Sequence, residues 1–402
     1  MINKILNNNI LNINILNRVI YFFICGYVIL SCTEVLGAVH LLRVALFLGV
    51  IRLMIKPLKI TINTKHFWYI AAFLLAIIFT IFMNGGNCYE GLRFLRSDYL
   101  GTMIPMICIL LFIKKDQVKK ILLCLIFSLC ITNLYALWET LHGMTRVGGL
   151  AGGSMQLGGA LILIVPLTVL LIVNKEFMST TYRPFLILAL LLEIPVVFFN
   201  ATRIAWIALL IVIPLLLLLV QKNKKRAIVY SLILVVLFVE IGSVIPYAHE
   251  RLNVMTDKSY QPNSERILMW HSAGNMFRDH PLTGVGLGNY KEQYQEKYMS
   301  VLAKEPYQIH AHSNIMHLAA TTGVAGVVAY LAMFGYFLYE SFRKWQYKKN
   351  IAPLIFFLAT LGFVIQGMTD YNIGFIGVVS KIYWMLLAIY LVLDGAVSVE
   401  GR

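Results

Sequence analysis

Three histidines and three arginines are the residues in this chain whose types and spacing can do chemistry. His310 and His312 stand close together in IHAHSN, and His317 follows within the next helical stretch. Neutral imidazole accepts a proton near neutral pH, so this group suits a general base acting on a hydroxyl. Arg146 lies in HGMTRVGGLAGGSMQLGG, Arg203 in FFNATRIAWIALL and Arg266 in SERILMW. A guanidinium fork donates parallel hydrogen bonds and keeps its charge, which suits phosphate or pyrophosphate. A metal site needs three or four ligands with a supporting shell. No carboxylate stands at a matching spacing beside the histidines, so neither metal nor cofactor is expected. The six cysteines form no CxxC, and all but Cys88 fall in apolar stretches, where they read as small buried hydrophobes.

The elements that must position these residues lie in a membrane. The 402 residues are 59% hydrophobic and 13% charged, about half the charged share of a soluble domain. A helical span needs about 20 apolar residues. Candidate spans fall near 18–38, 39–55, 66–84, 99–114, 121–139, 157–174, 184–201, 203–220, 227–246, 314–340, 351–369 and 373–393. The expected fold is therefore an all-α polytopic membrane protein of about twelve helices. The formal net charge of +15 sits in short clusters after the even-numbered spans, such as Lys114, Lys115, Lys119 and Lys120. This positive-inside pattern makes those loops and both termini cytoplasmic. It accounts for the basic balance through topology, without nucleic acid as a partner. Residues 1–16 are Asn-rich, lack a signal-peptide cleavage pattern and read as a short cytoplasmic or interfacial tail, with the first span as an uncleaved anchor.

The odd-numbered spans then exit on the far side, at 88–98, 139–156, 200–203, 247–313 and 370–372. All the candidate residues collect there. Three regions follow: spans one to nine over 1–246, a far-side loop over 247–313, and spans ten to twelve with a short tail over 314–402. Within the loop, 264–278 reads as a surface helix with Ser264 as N-cap and Arg266 in its first turn. GVGLGN then reads as a turn, since no βαβ unit surrounds it. Ser313 and Asn314 open the tenth span. Its small residues Ala319, Ala320, Gly323, Gly326 and Ala329 are expected to let a partner span approach closely.

His312-Ser313, nine residues, then Gly323-Val324-Ala325-Gly326 resembles the H-[NSQ]-x9-G-x-x-G signature of the O-antigen ligases. The upstream ERILMWHSAGNMFRDHPLTGVGLGNYKEQY is similar to a segment shared by those ligases and the related O-antigen polymerases. The resemblance implies a metal-independent, inverting glycosyltransferase of the integral-membrane GT-C type in a bacterial inner membrane, with a periplasmic active site. It implies a glycan on undecaprenyl pyrophosphate as donor and a lipid A–core sugar as acceptor. His312 matches the motif histidine that deprotonates or orients the acceptor hydroxyl. Arg203 and Arg266 match arginines that bind the donor pyrophosphate and stabilise it as leaving group. Arg146 and His310 are further substrate-binding candidates. Relatives often continue the Arg146 stretch with Pro-Asn, whereas this chain has Ser154-Met155-Gln156.

Other readings remain at this stage. A polymerase would use the same lipid carrier. An oligosaccharyltransferase would use a protein acceptor, but such relatives usually carry a large C-terminal domain, and this chain ends soon after its last span. A lipid-linked oligosaccharide transporter would instead use Glu34, Arg43, Glu193, Glu240 and Lys381 as pathway residues at mid-membrane.

Overall fold

The computed structural model describes residues 2–84, 88–255 and 257–400, with side chains described from residue 13 onward. Helix α1 (Ile2–Ile29) pairs with α2 (Leu36–Ile55). The helices α3 (His66–Met83), α4 (Cys88–Phe94) and α5 (Gly101–Phe112) follow. Next come α6 (Val118–Leu141), α7 (Ser154–Val173), α8 (Arg183–Asn200), α9 (Arg203–Val220) and α10 (Lys224–Val244). The loop carries α11 (Pro246–Asn253), α12 (Gln261–Asp279) and α13 (Tyr290–Gln293). The chain closes with α14 (Asn314–Lys348), α15 (Ile351–Gly367) and α16 (Val378–Asp394). Nine helical runs among the described residues are long and apolar enough to cross a membrane. Ile13–Ile29 and α15 are shorter apolar helices, and α16 has 17 residues. The protein is thus a polytopic membrane protein built almost wholly of helix.

Burial ranks the helices. In α16 every residue from Val378 to Leu393 except Lys381 is buried, and α7 is buried along nearly its whole length, so these two form the centre. Only Ala227 and Gly242 of α10 are buried, which puts that helix at the lipid-facing edge. Lipid tails are as apolar as leucine, so the centre is held by close van der Waals packing and by buried hydrogen bonds between helices. Pro166 sits inside α7 and Pro214 inside α9, as surrounding helices allow.

Several expectations are corrected. The first helix begins at Ile2, so the backbone of the Asn-rich segment continues into the span, and it ends at Ile29 rather than near 38. The stretch 88–98 is helical, not a loop: α4 runs through a π-helical turn, Leu95–Leu100, into α5. The last helix begins at Val378, which lengthens the preceding far-side connection to 368–377. The fold is not purely α. A strand β1 (Lys59–Ile62) pairs antiparallel with β2 (Val397–Glu400), with Lys59 opposite Glu400. This ribbon fastens the C-terminal segment to the basic loop after α2. The same end holds Lys344 between Glu340 and Asp394, at 2.6 Å from each.

The connection of α12 to α14 also differs from expectation. Gly323 has φ 60 and ψ −156, a break inside α14. The carbonyls freed there are taken by the glycine turn: Val285 N donates to Ala320 O (2.8 Å) and Gly286 N to Thr321 O (3.1 Å). Val324 N donates to Pro281 O at 2.8 Å. A Cβ on Gly323 would stand 2.5 Å from the Leu282 carbonyl carbon, and one on Gly284 would stand 2.4 Å from that of Thr321. The small residues at the break therefore admit the loop backbone into α14; Gly323 meets the turn rather than a partner span.

Candidate functional site

The Gly-rich segment after α6 folds because its amides find a carboxylate. Glu139 Oε2 accepts from Gly148 N (3.1 Å) and Gly149 N (2.8 Å). Arg146 precedes this turn with a left-handed φ of 58. The corner between α8 and α9 is tied to the same segment. Asn200 Nδ2 donates to Val147 O and Ser154 O, both at 2.8 Å, and Thr202 Oγ1 donates to Ser154 O at 3.1 Å. Ala201 turns the corner with φ 50, so α9 starts with Arg203 facing the Arg146 segment.

Helix α12 begins at Gln261 with Pro262 in its first turn, so Ser264 is inside the helix and is not its cap. A fixed proline φ and a missing donor favour that earlier start. Asn263 Oδ1 accepts from Arg203 Nη2 at 2.6 Å, and Arg203 Nη1 donates to Val254 O at 3.3 Å. Arg251 of α11 is buried, donates from Nη1 to Tyr260 Oη at 2.8 Å and leaves its Nε without a partner. The Tyr260 ring lies 5.9 Å from both the Arg203 and Arg251 guanidiniums.

These contacts bring Arg146, Arg203, Arg251 and Arg266 to one cavity of about 70 Å³, which no carboxylate lines. It shares Arg203, Ile204 and Arg266 with a neighbouring cavity of about 260 Å³ lined also by Trp270 and Thr369. The guanidiniums feel one another. Burial first, then Arg251, holds Arg146 below its ordinary value. Burial does the same for Arg266, where Asp370 pulls upward and Arg203, Arg146 and Arg251 push down. Four like charges held together at a desolvated surface form a site for an anion of high charge. The sequence reading named three of the four; Arg251 was missed.

The histidine end of the site hangs on α14. Ser313 caps that helix, its Oγ accepting from Met316 N at 3.4 Å. Asn314 Nδ2 donates to Asn372 Oδ1 at 2.6 Å, and Asn314 Oδ1 accepts from Asn372 N at 2.9 Å. This double link holds the connection 368–377 against His312, whose Nδ1 stands 3.9 Å from Asp370 Oδ1. Asp370 is buried, and its Oδ2 accepts from Gln366 Nε2 at 3.5 Å. Trp270 Nε1 donates to Ala311 O at 3.0 Å, fastening α12 beside the histidines. His312 adopts φ 48, an uncommon backbone state for a non-glycine residue.

His310 and His317 divide from His312. His310 lies 4.3 Å ring to ring from His312, and its Nδ1 accepts from His312 N at 3.3 Å. Burial, with the His312 imidazole next, pushes His310 down to about 4. His310 does not line the arginine cavity. It lines a cavity of about 660 Å³ on its other side, with Asp98, Tyr290, Lys291, Tyr371 and Phe375. His317 is buried, accepts from Ala311 N at 3.4 Å, lies 4.0 Å ring to ring from Tyr371 at a tilt of 48° and lines the same cavity. Among the described residues no three His, Cys, Asp or Glu side chains gather as a metal site requires.

Of the ionisable residues weighed for a transport path, Glu34 lies in the connection between α1 and α2, and Lys381 lies in the first turn of α16. Glu240 is exposed near the end of α10. Glu193 is buried in α8 and accepts from Thr168 Oγ1 at 2.9 Å. Arg43 lies in α2 and lines one cavity with Glu34 and Lys381, whereas Glu193 and Glu240 lie on α8 and α10 and do not line it.

Comparison with known proteins finds similarity over one part of the chain. The "Putative polysaccharide ligase" of Rickettsia conorii (strain ATCC VR-613 / Malish 7) is 23% identical over 153 residues, 35% of this chain and 35% of that protein. The protein of the same description from Rickettsia felis (strain ATCC VR-1525 / URRWXCal2) is 24% identical over 156 residues, again 35% of each chain. The matched region thus spans about a third of the length of these curated relatives. Residues 185–331, from α8 through the histidine loop and into α14, match the family described as O-Antigen ligase.

Proposed function

We propose that the protein transfers a glycan from undecaprenyl pyrophosphate to a sugar of lipid A–core, by direct displacement at the periplasmic face of a bacterial inner membrane. The observation that carries this reading is the meeting of four arginines in a cavity free of carboxylates, close to His312 and Asp370. The acceptor hydroxyl oxygen bonds to the anomeric carbon while the bond from that carbon to the phosphate oxygen breaks. The electron pair leaves with undecaprenyl pyrophosphate. The hydroxyl proton passes to His312 Nε2, and the Asp370 carboxylate, 3.9 Å from Nδ1, stabilises the imidazolium that forms. A single displacement inverts the anomeric centre. Arg146, Arg203, Arg251 and Arg266 stabilise the charge that grows on the leaving group, so arginine supplies the positive charge that a divalent ion supplies elsewhere. The acceptor glycan enters from the 660 Å³ cavity, on the His310 side.

A transfer assay tests the reading. Purified protein receives a polyprenyl-pyrophosphate glycan in EDTA, with and without lipid A–core. Product that depends on the core acceptor is the expected result. Elongation of the donor alone would make the protein a polymerase. No covalent product from a competent donor would remove the transferase reading in favour of transport.

A further inference from the structure

A third cavity, of about 530 Å³, lies between α1, α2, α5 and α16, away from the arginine site. One part of its wall is polar, with Ser31, Thr33, Glu34, Arg43 and Lys381. The rest is membrane-type surface, including Leu36, Val39, Leu42 and Leu46 of α2. Arg43 and Lys381 have no hydrogen bond and no carboxylate within 4 Å among the described residues; Glu34 is the charge that acts on Lys381 from farther away. Arg43 is exposed on α2, about 10 Å along the helix from its far-side end at 1.5 Å per residue. Lys381 sits in the first turn of α16. Both cations therefore line one cavity, Lys381 at the start of its helix and Arg43 about two turns into α2. A cation within a span is costly without a partner, and an anion brought to this pair supplies one.

The cavity adjoins the one beside the histidines. Phe375 and Ile376 line it, and the same two residues line the 660 Å³ cavity that His310 and Tyr371 border. A molecule held at Arg43 and Lys381 can lie across Phe375 and Ile376 and present its distal end at the histidines. The arginine cavity serves a different substrate, because it opens on α9, α11 and α12.

We propose that Arg43 and Lys381 bind the phosphate of the membrane-embedded acceptor, with its acyl chains against α2 and its glycan running over Phe375 into the histidine cavity. This rests on the transferase reading above for the meaning of "acceptor". The site selects a phosphorylated glycolipid over a neutral one, since a guanidinium and an ammonium without another hydrogen-bond partner gain charge-assisted hydrogen bonds from phosphate oxygens.

The test uses the full chain in nanodiscs. Binding of lipid A–core and of phosphatase-treated lipid A–core is read by native mass spectrometry, and the KM for each substrate is read in the transfer assay. The wild type should hold the phosphorylated lipid roughly tenfold more tightly than the dephosphorylated one, the size expected for charge-assisted hydrogen bonds. The double variant Arg43→Gln/Lys381→Gln should abolish that preference and raise the acceptor KM by a similar factor, with the donor KM unchanged. Arg43→Lys should keep most of the preference, which separates lost charge from a damaged fold. A double variant that still discriminates by phosphate would overturn the proposal. So would displacement of lipid A–core by an equal concentration of phosphatidylglycerol, which would mark an ordinary anionic-lipid site. If binding behaves as expected while the wild type makes no product, the acceptor site stands and the transfer reading fails.

Discussion

Replacing Gly323 with alanine tests the physical account of how the arginines and the histidine are held in register. Its φ 60 and ψ −156 lie in a region that is essentially open to glycine alone, and a side chain there costs about 1–3 kcal/mol. The added Cβ would also fall 2.5 Å from the Leu282 carbonyl carbon and 2.6 Å from Thr283 N, neither of which is a flexible side chain. The turn must move, and three backbone hydrogen bonds go with it: Val285 to Ala320, Gly286 to Thr321 and Val324 to Pro281. At about 0.5–1.5 kcal/mol each, the combined local cost is about 3–7 kcal/mol. Every 1.4 kcal/mol is tenfold, so amide exchange in peptides covering 281–288 and 320–326 should speed up by roughly 10²–10⁵. Transfer should fall with it, because Arg266 sits on α12 and His312 at the head of α14. Hydrogen exchange by mass spectrometry on the nanodisc protein reads the first effect directly. Wild-type protection of both peptides in Gly323→Ala would refute the reasoning.

Arg251→Gln should raise the donor KM at least tenfold, comparable to Arg203→Gln, by the loss of a charge-assisted contact; an unchanged donor KM would remove Arg251 from the phosphate site. Arg203→Lys should recover only part of the wild-type rate, since a point charge does not replace the fork, and full recovery would contradict bidentate binding. Asp370→Asn should lower kcat with both KM values little changed, and Asp370→Glu should restore part of it; equal losses for both variants would indicate a merely structural role. His310 is held at about 4 against an ordinary 6.5, so between those values the unfolded chain binds a proton that the folded chain does not. Stability should therefore be insensitive to this group above pH 6.5 and should fall as pH drops from about 6.5 toward 4. His310→Gln should flatten that part of a melting-temperature profile, and an unchanged slope would speak against it.

Hydropathy made the helical windows legible, because a span cannot hide twenty apolar residues, and Arg203 was legible as an arginine at the opening of one. Arg251 was not. It sits in a short polar helix whose composition says only that it lies outside the membrane, and its place comes from the Tyr260 contact and from the fold of the loop. Asp370 lies on a connection with no periodic pattern, and its value depends on Asn314 and Asn372 meeting across 58 residues. The stripe of small residues in α14 was visible, but small residues at helical spacing do not reveal a broken helix. The Gly323 dihedrals and the loop that fills the break are properties of the packed structure. The stretch 88–98 looked like a loop because Glu90, Arg93, Arg96 and Asp98 interrupt its apolar character. In the structure it is helix continuous with α5 and lends Asp98 and Phe94 to the cavity beside His310.

The most direct measurement is single-turnover transfer by purified His312→Ala protein alongside the wild type, with donor binding measured on the same preparations. Removal of a general base costs about 10²–10⁴-fold in rate. The account predicts a loss of that size with donor affinity retained, since the arginines that grip the pyrophosphate are untouched. Wild-type transfer by His312→Ala would contradict it.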